Sequence, residues 1–267
     1  MEKRLERIAE ILDIGILIGS SIAVVAWMIG APLFYRTDGP VLSIFTSISI
    51  FLIVGLRFAS RNFHLWPFTA NIAFLMIIGG GNLSSILMLM SAPKLHINPN
   101  SMLVMTSIFT SLGLVFFSLY EILLCLRKTP SSFWILDDIL LHLAFVPGGL
   151  SLIGHLFQNP TYLSMSLDPR VGISPLEMVF MAFLAISTIF SNQNLFLWKF
   201  LKDGMANRVT FFILFLNQYI APIVFLKFMG SDSSPQSLGP ELFIFFAGVF
   251  ATLGFLLVQA KTHISQK

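Results

Sequence analysis

Eight stretches of this chain are apolar over the thickness of a lipid bilayer, and no other feature constrains the fold as much. A helix needs about 20 mostly apolar residues to cross a hydrocarbon core. The stretches run from Ile8 to Ile29, Val41 to Phe58, Leu65 to Met88, Met102 to Leu126, Trp134 to Phe157, Leu176 to Asn192, Val209 to Phe228, and Glu241 to Ala260. The second and sixth are short. The third is interrupted by Gly79-Gly80-Gly81-Asn82, which predicts a kink or a tightly packed crossing there. Composition agrees: 11% of residues are charged and mean hydropathy is +0.85, against about 25% charged in a soluble domain. The expected fold is an all-α integral membrane protein, with residues 1–267 forming a single polytopic domain. The apolar run after Met1 has no small-residue cleavage signature, so it is read as a retained first span.

Four of the stretches begin alike. Gly39-Pro40, Asn98-Pro99, Ser174-Pro175 and Gly239-Pro240 each precede an uninterrupted apolar run. Proline fits a first helical turn because its missing N–H would have no partner there, and the preceding residue caps the helix. Glu177 stands three residues after Ser174, completing a capping box. Pro40, Pro99, Ser174, Pro175, Glu177 and Pro240 are therefore the expected helix-start residues. Four similar starts predict one αα-hairpin used four times.

Charge sets the expected orientation. With the N-terminus inside and eight spans, the inner segments hold twelve of the sixteen basic residues and the outer ones four, Arg36, Lys94, Arg170 and Lys227. The positive-inside rule then predicts eight helices with both termini cytoplasmic. The net charge of +3 is spread over short loops, not gathered in a patch, so no nucleic-acid partner is expected.

The run INPNSMLVMTSIFTSLGLVFF resembles a segment of bacterial membrane sensor modules, in which a Met-Ser-Pro-Asn-Thr-Ala-type start leads into an apolar helix. GPVLSIFTSISIFLIVGL and ISPLEMVFMAFLAISTIF are similar to further copies. LDDILLHLAFVPGGLSLIGHLFQNPTY and RVTFFILFLNQYIAPIVFLKFM resemble the family's later helices, so the resemblance covers nearly the whole chain in order. In that family the last helix leads into PAS, histidine-kinase or diguanylate-cyclase domains. Here six residues follow Lys261, and the repeat's Thr-Ala pair is absent. The resemblance implies a sensory module in a bacterial cytoplasmic (inner) membrane. It would act through a separate partner protein or as a homo-oligomer.

Ionisable groups inside a span are costly, so each is a functional candidate. Glu177 and Glu241 fit first-turn capping. Asp13 is placed at the interface, and Glu121 is paired with Arg127-Lys128. Asp138 and His142 share a face of one helix and form the candidate sensing pair, with Asn217 and Gln218 mid-span in the seventh stretch. Asn71, Asn82, Asn217 and Gln218 are expected to make interhelical hydrogen bonds. His142 and His155 are the pair a haem would use, with His64 and His96 as possible opposite ligands. Isolated histidines are more often polar contacts, so no cofactor is expected. Gly148-Gly149 is read as a close helix approach and Pro147 as a kink. The lone Cys125 excludes an intramolecular disulfide and a cysteine-based metal cluster. No nucleophile, metalloprotease or phosphate-loop motif occurs, so catalytic and metal-binding residues are none and an enzyme is not expected. The leading expectation is a non-enzymatic sensory or signalling module. The alternatives are an accessory subunit of a larger membrane complex and, third, a small transporter.

Overall fold

A computed structural model describes residues 2–33, 40–62, 68–95, 105–127, 135–157, 172–229 and 240–265. Most of those residues are helical, with no strands among them. The helices are α1 (Glu2–Met28), α2 (Ile44–Asn62), α3 (Phe68–Leu95), α4 (Ile108–Leu126), α5 (Ile135–Phe157), α6 (Pro175–Ser191), α7 (Phe196–Lys202), α8 (Met205–Met229) and α9 (Pro240–Ser265). Seven of them are long and apolar enough to cross a membrane, and α6 with α7 forms an eighth apolar unit bent by 71°. Three or four helices of this kind would already require a bilayer, so the chain is a multi-pass membrane protein.

Local sequence explains the helix ends. Gly30 follows α1 with φ +73°, a left-handed conformation that costs glycine little. Its N–H donates to the Trp27 carbonyl and that of Ala31 to the Ala26 carbonyl, which is a Schellman stop. At α6, Ser174 accepts from the Glu177 N–H while the Glu177 carboxylate accepts from the Ser174 N–H, each at 3.2 Å. Pro175 occupies the first turn, and Pro240 opens α9. Both are as expected.

The other two starts differ. Pro40 lies before α2, which begins at Ile44; the cap is Ser43, whose hydroxyl accepts from the Thr46 N–H at 3.0 Å. Pro99 lies outside the described residues, and α4 begins at Ile108 under the cap Ser107. A serine hydroxyl satisfies a free N–H of the first turn, whereas proline only tolerates that turn.

The most extensive helix contacts join α3 to α4, α8 to α9, α4 to α5, α1 to α2 and α1 to α6. The main core lies among α1, α2, α4, α5 and α6, with Ile16, Ile50, Val54, Leu114, Phe117 and Leu184 at its centre. A second core joins α5 and α9 through Leu150, Phe245 and Val249. Glycines set the closest approaches. A Cβ on Gly79 would lie 3.4 Å from that of Ser118, and one on Gly248 would lie 2.7 Å from the Gln218 backbone. Helix α3 runs unbroken through its three glycines, so the expected crossing is present. Pro147 is likewise contained within α5, and its ring packs 3.2 Å from where a Gly113 Cβ would sit. The outer faces carry large apolar side chains, among them Ile18 and Ile22 on α1 and Phe212, Ile213 and Phe228 on α8. Lipid is the solvent that suits them.

Candidate functional site

Helices α2, α4 and α6 meet at both ends through polar clusters. At their N-terminal ends the same five residues, Ser-Ile-Phe-Thr-Ser, occur at 43–47 and 107–111. Each copy builds the same relay. The Ser43 hydroxyl accepts from the Thr46 N–H and lies 2.9 Å from the Thr46 hydroxyl, which donates to Glu177 Oε1 at 3.1 Å. Ser107 accepts from the Thr110 N–H and donates to the Thr110 hydroxyl at 3.0 Å, and Thr110 also hydrogen-bonds Glu177. One buried carboxylate therefore ties three helix starts together, where the dipoles and free N–H groups favour a negative charge. Every oxygen of Glu177 is engaged, so this cluster is structural. Sequence reading placed Glu177 in its own cap and missed the bonds to the other two helices. The repeated pentapeptide was the signal.

At the opposite end lies a network of charges. Arg57 of α2 donates through Nε to Glu121 of α4 at 2.7 Å. Its Nη2 donates to Glu121 and to Thr188 of α6. Its Nη1 lies 3.6 Å from Asp13 of α1 and makes no hydrogen bond. Arg61, one turn on, donates to Asp13 and Ser191, both at 3.0 Å. Asp13 also accepts from Ser187. The Arg57 and Asp13 side chains are 8% and 6% exposed.

Asp13 is buried within the bundle, paired with Arg57 and Arg61. One expectation is corrected. Glu121 pairs with Arg57, not with Arg127, which instead donates to Asp137 of α5 at 2.7 and 2.6 Å. Six residues on a helix turn through about 600°, so Glu121 and Arg127 stand on different faces.

The network walls a cavity of about 360 Å³. Polar groups on it include Arg57, Arg61, Asn71, Tyr120, Glu121 and Asn192, and Ile53, Leu56, Leu75 and Leu124 are apolar. Asn71 donates to Ser60 at 2.7 Å and Asn192 to the Tyr120 hydroxyl at 2.9 Å. The wall thus offers anion-binding, hydrogen-bonding and apolar surface together, which suits a small amphiphilic molecule.

The expected sensing pair is arranged differently. Asp138 and His142 both face the interior, 5% and 7% exposed, as the cost of a lipid-facing ionisable group requires. They do not pair with each other. The Asp138 carboxylate accepts from the N–H groups of Phe196 and Leu197, at 3.0 and 2.9 Å. It caps α7 from a different helix, a bond that no local sequence pattern announces. His142 faces Gln218 of α8, but its Nε2 and both Gln218 amide atoms lack hydrogen bonds of good geometry. Asn217 is exposed on the outer face of α8. Adjacent helical residues stand about 100° apart, so burying Gln218 turns Asn217 away. Asn82 does bridge helices, donating to Ser49 at 3.1 Å.

The histidines a haem would use are not brought together by any described contact. The ring of His155 is 3.0 Å from the Ile173 carbonyl, and His64 and His96 lie outside the described residues. Among the described residues no group of three metal-ligating side chains forms. Cys125 lies on the wall of the Arg57 cavity. Compared with protein-family models, curated proteins and solved structures, the chain matches none.

Proposed function

We propose that this chain is a non-enzymatic sensory module of a bacterial cytoplasmic membrane, which binds a small ligand at Arg57 and signals through a separate partner. The observation that carries this is the Arg57 cavity. A buried guanidinium whose Nη1 makes no hydrogen bond, only an ion pair with Asp13 at 3.6 Å, stands on a chamber of about 360 Å³. The four elements whose charges and hydroxyls meet there are α1, α2, α4 and α6. A ligand that competes for Arg57 or Arg61 would alter bonds linking all four, giving it differential contacts with two packings of the bundle. Transport is less well supported. The Glu177 and Arg57 clusters are separated by the packed apolar layer of Ile50, Val54, Leu114, Phe117 and Leu184, so no polar path joins them among the described residues.

Purification from native membranes with mass spectrometry tests the proposal. The wild type should release a small molecule that Arg61→Gln fails to retain, and should bring down a substoichiometric signalling protein. A membrane assembly of fixed stoichiometry, unchanged by Arg61→Gln and without a small molecule, would favour the accessory-subunit reading.

Four outward hairpins with both termini cytoplasmic belong to the same proposal. In support, α2, α4 and α6 share one set of starts and one set of ends, and α1 meets their ends with its own beginning. In a Cys125→Ser background, a cysteine at Ala31 should label from outside intact cells, and one at Asn194 only after permeabilisation. The reverse pattern at either site rules the orientation out.

A further inference from the structure

A second cavity, of about 130 Å³, lies between α5, α8 and α9 and the bend joining α6 to α7. Leu141, Phe145, Leu195, Phe211, Phe215 and Leu256 make its wall almost wholly apolar. Two polar residues reach it. Asp138 is spent on the start of α7. His142 is not: its ring lines the cavity, 93% buried, and Nε2 makes no hydrogen bond of good geometry. Behind it Gln218 is 1% exposed and faces both His142 and Tyr219 without a hydrogen bond of good geometry to either.

A buried imidazole nitrogen without a well-formed hydrogen bond is expensive inside a bilayer, because it forfeits its hydrogen bonds to water. The occupant that relieves it is decided by the wall. Ordered water needs two to four polar partners, and this wall offers one uncommitted group. A purely apolar occupant would leave His142 as it is. The remaining choice has an apolar body and a single hydrogen-bonding group. The body meets a cluster of rings: Phe215 lies edge-on to His142 at 6.3 Å and to Phe145 at 6.5 Å, and stacks on Phe211 at 5.8 Å. Such a wall favours another ring. The outer face of α8 carries Phe212, Ile213 and Ile220, so the ligand would arrive from lipid.

We propose that this cavity is a binding site for a neutral, lipid-soluble ring compound carrying one hydroxyl or carbonyl, of phenol or aryl-ketone type, hydrogen-bonded to His142. The site is distinct from the Arg57 cavity and does not depend on its role.

The test uses the full chain in lipid nanodiscs, with 4-fluorophenol as probe and fluorobenzene as its counterpart without the hydroxyl. Binding is followed by 19F NMR. The wild type should bind 4-fluorophenol saturably and roughly tenfold more tightly than fluorobenzene, about the worth of one good hydrogen bond. His142→Phe, which keeps a ring and removes the polar atoms, should erase that preference. Leu256→Phe, which fills the cavity from α9, should abolish binding of both probes. Equal binding of the two probes, an undiminished preference in His142→Phe, or no saturable binding to the wild type would each overturn the proposal. The comparison of probes on the wild type stands even if a variant fails to fold.

Discussion

Replacing Arg57 with leucine is expected to destabilise the folded protein by about 3–5 kcal/mol, the usual cost of stranding one member of a buried ion pair. The charge left behind is Glu121, whose side chain is 13% exposed and whose ion-pair partner is Arg57. Asp13 suffers less, because Arg61 still donates to it at 3.0 Å. The double variant Arg57→Leu/Glu121→Leu should recover most of the loss, since a packed apolar pair of similar volume often replaces a buried ion pair at little cost. Reversible unfolding in mixed micelles would measure both. If the double variant were no more stable than the single one, the stranded charge would not be the cause, and the network would owe its stability to the Thr188 bond or to packing. The same measurement on Asp13→Asn should give a smaller loss, because Arg57 and Arg61 both retain other partners.

Much of the architecture was legible in the sequence because hydropathy is a strong and local signal. Spans predicted at Trp134 to Phe157 and Met102 to Leu126 appear as Ile135–Phe157 and Ile108–Leu126. Helix starts were less legible. Proline marks a permissive turn, but Ser43 and Ser107 do the capping. Their identical pentapeptides were hidden within runs read only for hydropathy. The bend after α6 was also unseen. The polar run Asn192-Gln193-Asn194 ends the predicted sixth span, but the turn into α7 is fixed by bonds from elsewhere: Asn192 to Tyr120, and Asp138 to the start of α7.

The candidate sites were legible as residue types and not as partnerships. An ionisable residue in an apolar run is visible at once, and the cost of exposing it to lipid correctly turned Asp138 and His142 inward. Which group it meets depends on helices far apart in sequence. Glu121 finds Arg57, and Asp138 finds Phe196 and Leu197. Nearest-neighbour pairing along one helix therefore named the wrong partner for both carboxylates. The Arg57 cavity could not be assembled from the sequence, because its wall draws on α2, α3, α4 and α6.

Gly149→Ala is expected to loosen α8 from α5, whereas Gly148→Ala, one residue away, should be neutral or mildly stabilising. A Cβ on Gly149 would fall 1.8 Å from Cε1 of Tyr219 and 2.6 Å from its Cδ1; one on Gly148 would meet nothing within 4 Å. The tyrosine has little room to retreat. Its ring packs against Phe215 at 5.1 Å and Phe245 at 5.7 Å, so the methyl must displace an aromatic cluster joining α5, α8 and α9. Overpacking of this kind costs typically about 1–3 kcal/mol and sometimes more. Gly148→Ala adds no contact and gains up to about 1 kcal/mol of helix propensity. In a Tyr219→Leu background the Gly149→Ala penalty should shrink, because the smaller side chain frees the space, and a double-mutant cycle would read that coupling directly. Equal stabilities for Gly148→Ala and Gly149→Ala, or an undiminished penalty beside Leu at 219, would mean that α8 does not dock on α5 through this contact. In that case the wall of the His142 cavity contributed by Phe211 and Phe215 would lose its anchor as well.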